Sequence, residues 1–596
     1  MPLDTRDDLG KLPEWDLSDL YRDPAAPELA VDLATAETEA VAFEADIKGR
    51  LSDLDGPALA AAIARYEAID ERLGRIGSYA QLVHASDMSD PEIGRFYQSM
   101  VERVNDVSRY LLFFTLELNQ ITEEALAAPL ADPAMERWRS WVTAVRAFRP
   151  HQLADEVEQL LHDRGVVGRT SWMRLFDETM ADLRVPFRGD SLTSAQILHK
   201  LVDADPAVRA EAGPAFGRAL GERARVFALI TNTLAKEKEI DDRWRKFPRA
   251  ISSRNLGNQV EDEVVDALVE AVVQAWPSLS HRYYRLKARM FGKETLPWWD
   301  RNAPLPQEDS RTIPWDQARD TVLGAYQRFS PDLAAIGQRF FDNAWIDAPV
   351  RPGKAPGAFA HPVVPSAHPY LLVNYQGKLR DVMTLAHELG HGCHQVLAGG
   401  QGHLLAQTPL TLAETASVFG EMLTFQAVLA AESDPIRRRT LIAGKIEDML
   451  NTVSRQVALH CFEDRVHTAR RQGELTPEAL GAVWMEVQAA ALGPAVTLDA
   501  DYRMYWAYIP HFIHAPFYVY AYAFGDCLVN SLYAVYQDQP EGFAERYLAL
   551  LAAGGSQRHA TLLAPFGLDA RDPAFWSRGL GMIATLIDQL EGLLAA

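Results

Sequence analysis

The sequence predicts a mainly α-helical protein with one small β-sheet, and three observations support this prediction. Ala, Leu, Glu and Arg dominate most of the chain, and apolar residues recur three or four positions apart, as on the buried face of a helix. The best pattern typical of strands lies within residues 348–375. The chain has 596 residues, 48% of them hydrophobic and 23% charged, which is typical of a folded soluble protein that buries several cores.

The charge balance and the cysteine content exclude several classes of function. The 59 basic residues stand against 81 acidic ones, a net charge of −22, so we expect no nucleic-acid partner. Cys393, Cys461 and Cys527 lie far apart, which suits a reducing compartment better than a disulfide scaffold. No apolar run reaches the roughly 18 residues of a spanning helix, and the first residues lack the apolar centre of a signal peptide. We therefore expect no membrane association and a cytoplasmic location.

The N-terminal third of the chain is predicted to be helical. The first predicted helices share a long amphipathic pattern and cover residues 28–54, 58–82 and 97–118. Pro186 and Gly189 then interrupt the helical pattern, which resumes at residue 195. We therefore place a boundary near residue 190, between an N-terminal helical region (1–190) and a second region (191–596).

The extended segment leads directly into a helix that contains the most informative residues. Residues 370–375, with the sequence YLLVNY, favour a strand, and Gln376 and Gly377 favour a turn. Asp381 is a residue type that often caps helix N-termini, so we expect the next helix to begin there.

Residues 387–391 of this helix read HELGH. His387 and His391 are four positions apart, so both imidazoles lie on one helix face and can converge on one Zn²⁺. Glu388 lies about 100° round the helix, where it can reach a water molecule on the metal and act as its general base. A chain of this composition would contain the pattern by chance only about 0.03 times. We therefore interpret it as a metal site rather than as a solvated helix face.

A catalytic zinc site needs a third protein ligand and one open position. Leu397 occupies the position where some related motifs have a third histidine. We therefore look for the third ligand on the next helix, which we expect to begin near Thr411. The glycine-rich stretch 399–402 permits the chain to reverse direction before that helix. Glu414 is the candidate, although Thr411-x-x-Glu414 also matches a capping box, and spacing alone leaves both interpretations open. The need for a third ligand favours metal binding, and Glu421, on the same face, is expected to accept a hydrogen bond from a histidine N–H.

Two further histidines lie close to the motif in sequence. His394 shares the face of His387 and His391, but the helix axis carries it a further turn away. We expect it to support a ligand or to pack as a buried polar residue. His403 follows the glycines and is expected to be solvated.

These segments together resemble the zinc oligopeptidases of the thimet oligopeptidase and oligoendopeptidase F kind, and most closely oligoendopeptidase F. The motif HELGH is followed by LAETAS (412–417), as in that family. The resemblance extends over most of the chain, through WDLSDLY (15–21), YLLVNY (370–375), IPHF (509–512) and FYVYAY (517–522).

The resemblance implies a large two-lobed helical metallopeptidase with a deep substrate channel and a small sheet near the zinc helix. It implies one zinc ion per chain, held by His387, His391 and Glu414, with Glu388 as the general base. Residues 191–596 would then form the catalytic region. The substrates would be short unfolded peptides cleaved by an endopeptidase. Sheet strands on the channel wall would pair with the substrate backbone, and the candidates are 358–359 and 370–374, which could equally be packed sheet.

The C-terminal aromatic segment supplies candidate groups for transition-state stabilisation. If the chain is helical from Pro510, His511, Tyr518 and Tyr522 lie near one face, although Pro516 interrupts the pattern. The resemblance implies that a His and Tyr residues of this region act on the oxyanion. Tyr518 is the first choice and Tyr522 the second, with Tyr520 pointing elsewhere and His514 a possible channel residue; the alternative is an aromatic core stripe.

Two other functions remain open at the level of sequence. A zinc carboxypeptidase or dipeptidyl carboxypeptidase would need a cation for the C-terminal carboxylate of its substrate, and Lys378, Arg380 and Arg503 lie near the motifs. A non-catalytic helical peptide-binding scaffold would not need a base beside a metal. The oligomeric state is not predicted.

Overall fold

The computed structural model describes residues 9–165, 167–305 and 311–595. It is 71% helical with only small sheets, which confirms the predicted mainly α-helical class. The chain divides into two compact units, each assembled from separate stretches of sequence. The first unit comprises the described residues of 1–149, 310–431 and 536–567, and the second those of 150–309, 432–535 and 568–596. Within the described ranges, no helix combines the length and the apolar character needed to cross a membrane.

The helices follow one another through most of the chain. Up to residue 305 they are α1 (Pro27–Ile47), α2 (Gly56–Ser86), α3 (Pro91–Ser108), α4 (Leu112–Gln120), α5 (Glu123–Ala131), α6 (Arg139–Arg146), α7 (Asp155–Gly165), α8 (Arg169–Asp182), α9 (Ser194–Lys200), α10 (Pro206–Glu222), α11 (Ala224–Trp244), α12 (Ser252–Gly257), α13 (Asp262–Ala275) and α14 (Ser280–Met290). After residue 311 they are α15 (Trp315–Phe329), α16 (Pro331–Asp342), α17 (Leu379–Ala398), α18 (His403–Ala406), α19 (Leu410–Ala413), α20 (Thr415–Ala431), α21 (Pro435–Thr452), α22 (Ser454–Arg470), α23 (Pro477–Leu492), α24 (His511–His514), α25 (Tyr520–Asp538), α26 (Phe543–Ala552), α27 (His559–Leu563) and α28 (Pro573–Ala595).

The strands are short and form small sheets. They are β1 (Val185–Phe187), β2 (Asp190–Leu192), β3 (Leu296–Pro297), β4 (Ile346–Asp347), β5 (Phe359–His361), β6 (Tyr370–Leu372) and β7 (Val496–Thr497). In the first unit, β6 lies between β4, to which it is parallel, and β5, to which it is antiparallel. In the second unit, β1 and β2 form an antiparallel hairpin and β3 pairs with β7 in parallel.

Two of the predicted N-terminal helices end differently in the structure. The helix expected over 28–54 ends at Ile47, because Gly49 adopts φ +76°, a left-handed conformation that favours glycine and stops a helix. The helix expected over 97–118 is two helices, α3 and α4, separated by a turn at residues 109–111. No glycine or proline marks that turn, so the amphipathic pattern continues across it.

The predicted boundary near residue 190 lies in the β1–β2 hairpin, where Gly189 has φ +90°. The two compact units do not correspond to the regions 1–190 and 191–596, because the first unit combines N-terminal helices with the segment around α17. Sequence patterns mark local breaks in the chain, whereas compact units depend on which distant segments pack together.

The helix that carries the HELGH motif begins earlier than expected. α17 starts at Leu379, so Asp381 lies inside its first turn and the prediction of Asp381 as the cap was wrong. Its carboxylate instead accepts hydrogen bonds from the backbone N–H groups of Gln376 and Lys378, each at 2.9 Å. A carboxylate in the first helical turn can reach back to N–H groups that precede the helix, as in a capping box.

Candidate active site

Helix α17 is held against α20 by an unusually close approach. A Cβ atom added at Gly390 would lie 2.4 Å from the carbonyl oxygen of Ala416, so only glycine fits there without displacing the backbone. Leu385 and Leu389 are fully buried on α17. The motif therefore sits on a rigid, packed helix, with α20 directly beside it.

The structure brings His387, His391 and Glu414 together. One ligand atom of each residue lies within 4.8 Å of the others, a grouping that could hold a metal ion. Glu414 Oε2 is 3.4 Å from His387 Nε2 and 3.5 Å from His391 Nε2. These distances are longer than the usual hydrogen bond of about 2.9 Å. They match the roughly 3.4 Å that separates two ligands of a tetrahedral zinc ion with bonds of about 2.1 Å.

The position of Glu414 excludes the capping-box interpretation. Thr411 lies within the one-turn helix α19, which ends at Ala413, and α20 begins at Thr415. Glu414 is thus the junction between two helices and not the third residue of one. Ser417 Oγ donates a hydrogen bond to Glu414 Oε2 at 2.8 Å, which helps to orient the carboxylate.

Glu421 approaches the other side of His387, as the sequence predicts. Its Oε2 atom lies 3.3 Å from His387 Nδ1, so it can accept the Nδ1 hydrogen and leave Nε2 directed at Glu414. Burial alone would lower the pKa of His387, but the Glu414 and Glu421 carboxylates outweigh it and raise that pKa to about 10. The pocket is therefore strongly suited to a positive charge.

Glu388 is a buried carboxyl group beside the cluster. Its residue is 7% exposed, and this burial raises the pKa of its carboxyl group above the usual range. His387 and His391 act in the opposite direction, because their positive charge would stabilise the carboxylate. A buried carboxylate with a raised pKa is a stronger base than an exposed one.

The neighbouring histidines have structural partners. His394 is buried, and burial lowers its pKa to about 4; its Nε2 atom lies 3.3 Å from Thr408 Oγ1. It therefore packs as a buried polar residue, one of the two expected outcomes. The expectation of a solvated His403 was wrong, because its Nε2 atom lies 2.9 Å from Oδ2 of Asp70 in α2.

The sheet beside α17 has one edge strand among the candidate strands. β6 is the central strand and pairs on both sides, so the expectation that 370–374 could pair with a substrate backbone was wrong for its strand residues. β5 is an edge strand of this sheet. Gln395 Nε2 of α17 donates to the carbonyl oxygen of Ala360 at 3.1 Å, which ties β5 to the helix that bears the motif.

The C-terminal candidates form their own cluster in the second unit. His511 Nε2 lies 3.3 Å from Tyr522 Oη, and the rings of Tyr518 and Tyr522 are 5.3 Å apart between centroids. They do not share one helix, because α24 ends at His514 and α25 begins at Tyr520. The intervening loop nevertheless returns Tyr518 to the face of His511, with ring centroids 5.9 Å apart.

The other aromatic and histidine candidates of this segment point elsewhere. Tyr520 is fully buried and its hydroxyl accepts a hydrogen bond from Asn258 Nδ2 at 2.8 Å, as predicted for a residue outside the site. His514 Nε2 lies 2.8 Å from Asp177 Oδ1, so this ring is anchored within the second unit.

Charged side chains that sequence reasoning missed hold the loop before Tyr518. Phe517 has φ +57°, a strained conformation for a bulky residue, and its N–H donates to Glu463 Oε1 at 2.8 Å. Arg254 Nε donates to the carbonyl oxygen of Pro516 at 3.0 Å. Burial raises the pKa of Glu463 to about 8, and the Phe517 N–H is the main contact opposing that rise. No sequence motif signals these contacts, because they join segments far apart in the chain.

Comparison with known proteins identifies the relatives of this chain. The model of peptidase family M3 matches residues 201–582, and that of oligopeptidase F matches residues 117–184. Oligopeptidase PepF of Bacillus subtilis is 26% identical over 92% of this chain and 82% of its own length. Group B oligopeptidase PepB of Streptococcus agalactiae is 25% identical over 99% of each chain.

Solved structures share the fold. A protein from Chlamydophila abortus superposes with a TM-score of 0.86 at 22% identity, covering 98% of this chain and 100% of its own. Oligoendopeptidase F from Enterococcus faecium superposes with a TM-score of 0.71 at 23% identity, covering 95% of this chain and 98% of its own.

Proposed function

Since the chain belongs to peptidase family M3, we propose that it is a zinc-dependent endopeptidase that hydrolyses short unfolded peptides. In this proposal His387, His391 and Glu414 hold one zinc ion and Glu388 is the general base. The observation that carries it is the convergence of the three ligand atoms within 4.8 Å, with the buried Glu388 adjacent on the same helix.

The donor set fits zinc. Two imidazole nitrogens and one carboxylate oxygen are a common catalytic ligand set for this ion and leave one position open. Zinc bound there would polarise a carbonyl oxygen and lower the pKa of water. Glu421 supports this role, because accepting the Nδ1 hydrogen of His387 would leave Nε2 available as a ligand.

We propose separate roles for Glu388 and for the C-terminal candidates. Glu388 takes a proton from the attacking water and then gives it to the leaving amine, a role that its raised pKa favours. His511, Tyr518 and Tyr522 are the candidates for donating hydrogen bonds to the oxyanion of the tetrahedral intermediate. Their mutual contacts support a joint role, with Tyr518 as the first choice.

Short unfolded peptides are proposed as substrates on the basis of the family. The substrate backbone would pair with β5, because it is an edge strand and an extended peptide can add a strand to a sheet edge. A folded protein has few extended segments available for such pairing. We also propose that the substrate enters a deep channel, as the family resemblance implies.

The substitution Glu388→Gln tests the base. The amide keeps the size of the side chain but cannot accept the proton, so we expect full zinc content and a loss of turnover of about 10²-fold to 10⁴-fold. Zinc is measured by elemental analysis and turnover with a quenched fluorescent peptide. Wild-type turnover in this variant would reject the assignment of Glu388.

Product mapping separates the endopeptidase from its alternatives. A peptide with an acetylated N-terminus and an amidated C-terminus is cut internally by an endopeptidase, whereas a carboxypeptidase or dipeptidyl carboxypeptidase requires the free carboxylate. Mass spectrometry of the products distinguishes these modes. Full zinc occupancy without hydrolysis of any short peptide would instead favour the non-catalytic scaffold.

A further inference from the structure

A small cavity in the second unit combines aromatic walls with two cationic groups. Its volume is about 220 Å³, and it lies between residues 298–302, the junction of α21 and α22, and the 3-10 helix Ala500–Tyr508. Arg301 and Arg455 both line it. The volume is below the roughly 300–1,000 Å³ of pockets that enclose a whole small ligand, so it suits one terminal group or one side chain.

Neither arginine has an acidic partner in the described part of the chain. Arg301 Nη1 donates to Tyr502 Oη at 2.9 Å, and Arg455 Nη2 lies 3.4 Å from Tyr508 Oη. Each of these is the one side-chain hydrogen bond that the guanidinium makes to a described residue, whereas a guanidinium carries five N–H donors. A neutral phenol oxygen does not offset the positive charge.

The surrounding cations are paired differently. Arg209 Nε lies 2.8 Å from Asp300 Oδ1, and Lys287 Nζ lies 2.6 Å from Glu447 Oε1. Buried and half-buried cations in proteins are normally paired in this way. Two cations that share a cavity and whose side-chain hydrogen bonds, among the described residues, go only to phenols point to an anion supplied from outside.

Both arginines line the cavity beside Tyr502 and Tyr508. Burial raises the pKa of the Tyr502 hydroxyl, and the charges of Arg301 and Arg455 both oppose that rise, so both lie near this hydroxyl. Burial lowers the pKa of the His511 imidazole, and the positive charge of Arg455 lowers it further. Tyr508, which lines the cavity, also lies only three residues before His511, a residue proposed to act on the substrate.

We propose that the cavity lined by Arg301 and Arg455 is a subsite that binds a carboxylate group of the peptide substrate. Two guanidinium forks match the planar geometry of a carboxylate, and the aromatic walls lower the local dielectric constant and strengthen the contact. The carboxylate comes from the peptide C-terminus or from an acidic side chain. The inference rests on the proposed function, since it assigns part of the substrate to this subsite.

Equilibrium binding tests the subsite without turnover. The Glu388→Gln protein, loaded with zinc, is titrated calorimetrically with matched peptides that carry a free or an amidated C-terminus. A second pair has an amidated C-terminus and either Glu or Gln within the sequence. We expect at least tenfold tighter binding of the carboxylate form in one pair, the scale of a charged hydrogen-bonded contact. Equal binding within both pairs would overturn the proposal.

Substitutions then assign the preference to the cavity. Arg455→Met keeps the aliphatic volume and removes the charge, so it should abolish the preference for the carboxylate form. Arg455→Lys keeps the charge without the planar fork and should retain part of the preference. Arg225→Met removes an exposed arginine of the same unit and should leave the preference intact. A preference that survives Arg455→Met, in a variant with unchanged circular dichroism, would contradict the proposal.

These experiments distinguish a failure of the carboxylate subsite from a failure of the proposed peptidase activity. If the wild-type protein hydrolyses no peptide but the carboxylate preference is present and depends on Arg455, the peptidase proposal fails and the subsite stands. If internal hydrolysis occurs without any carboxylate preference, the subsite fails and the peptidase proposal stands. The pair that shows the preference identifies the source of the carboxylate.

Discussion

At the residue scale, the metal cluster depends on groups that are not themselves candidate ligands. Ser417 contacts the carboxylate of Glu414, and Glu421 contacts Nδ1 of His387. These contacts restrict the directions in which the ligand atoms can point. A site held in this way loses less conformational entropy when it binds an ion than a site of freely rotating side chains.

Glu421 provides the residue-scale prediction. Glu421→Gln removes the negative charge that orients and polarises His387, so we expect a loss of about 10-fold to 100-fold in zinc affinity. The affinity is measured by competition with a chromogenic chelator. Glu545→Gln, at an exposed position in the first turn of α26, is the matched control and should leave the zinc affinity unchanged. Unchanged zinc affinity in Glu421→Gln would remove Glu421 from the supporting groups.

At the scale of elements, the contact between α17 and α20 sets the separation of the ligands. His387 and His391 lie on α17, whereas Glu414 immediately precedes α20. Gly390 lies where the two helices come closest, and Gly420 of α20 lies where an added Cβ would meet the hydroxyl of Tyr326. Tyr326 Oη in turn donates to the carbonyl oxygen of Ala386 at 2.7 Å. The close packing thus brings the third ligand within reach of the first two.

Gly390→Ala tests this arrangement. The added methyl group would overlap the backbone at Ala416, so we expect a destabilisation of about 1–3 kcal/mol and weaker zinc retention. Thermal unfolding and chelator competition measure the two effects. Gly444→Ala is the control, since a Cβ there meets no atom within 4 Å, and it should be neutral or stabilising by up to about 1 kcal/mol. Equal behaviour of the two variants would contradict the packing argument.

At the scale of the whole molecule, the first unit is assembled from segments far apart in the chain. Helix α2 contributes three acidic residues to the region after β5. Glu71 Oε1 accepts from the N–H of Ser366 at 2.9 Å, Glu67 Oε1 from that of Leu404 at 3.2 Å, and Asp70 contacts His403. The segment that carries the candidate metal site is therefore packed against the N-terminal helices.

Truncation provides the whole-molecule prediction. A protein limited to residues 191–596 lacks all of the first unit that precedes residue 150, so we expect it to unfold or aggregate and to retain no zinc. Solubility, circular dichroism and zinc content measure the outcome. Coexpression of residues 1–190 as a separate chain is the control and should restore part of the soluble, zinc-binding protein. A stable and active 191–596 protein would show that this region folds independently.

The sequence by itself determined the helical class, the β6 strand and the shared face of His387 and His391. Each depends on the residue types or the residue spacing within one continuous segment, so neighbouring residues suffice to predict it. Only the tertiary structure decided that Glu414 joins the histidines instead of capping a helix, and that Arg301 and Arg455 share a cavity. The physical reason is that these groupings arise where distant helices pack, and backbone periodicity carries no information about which distant segments meet.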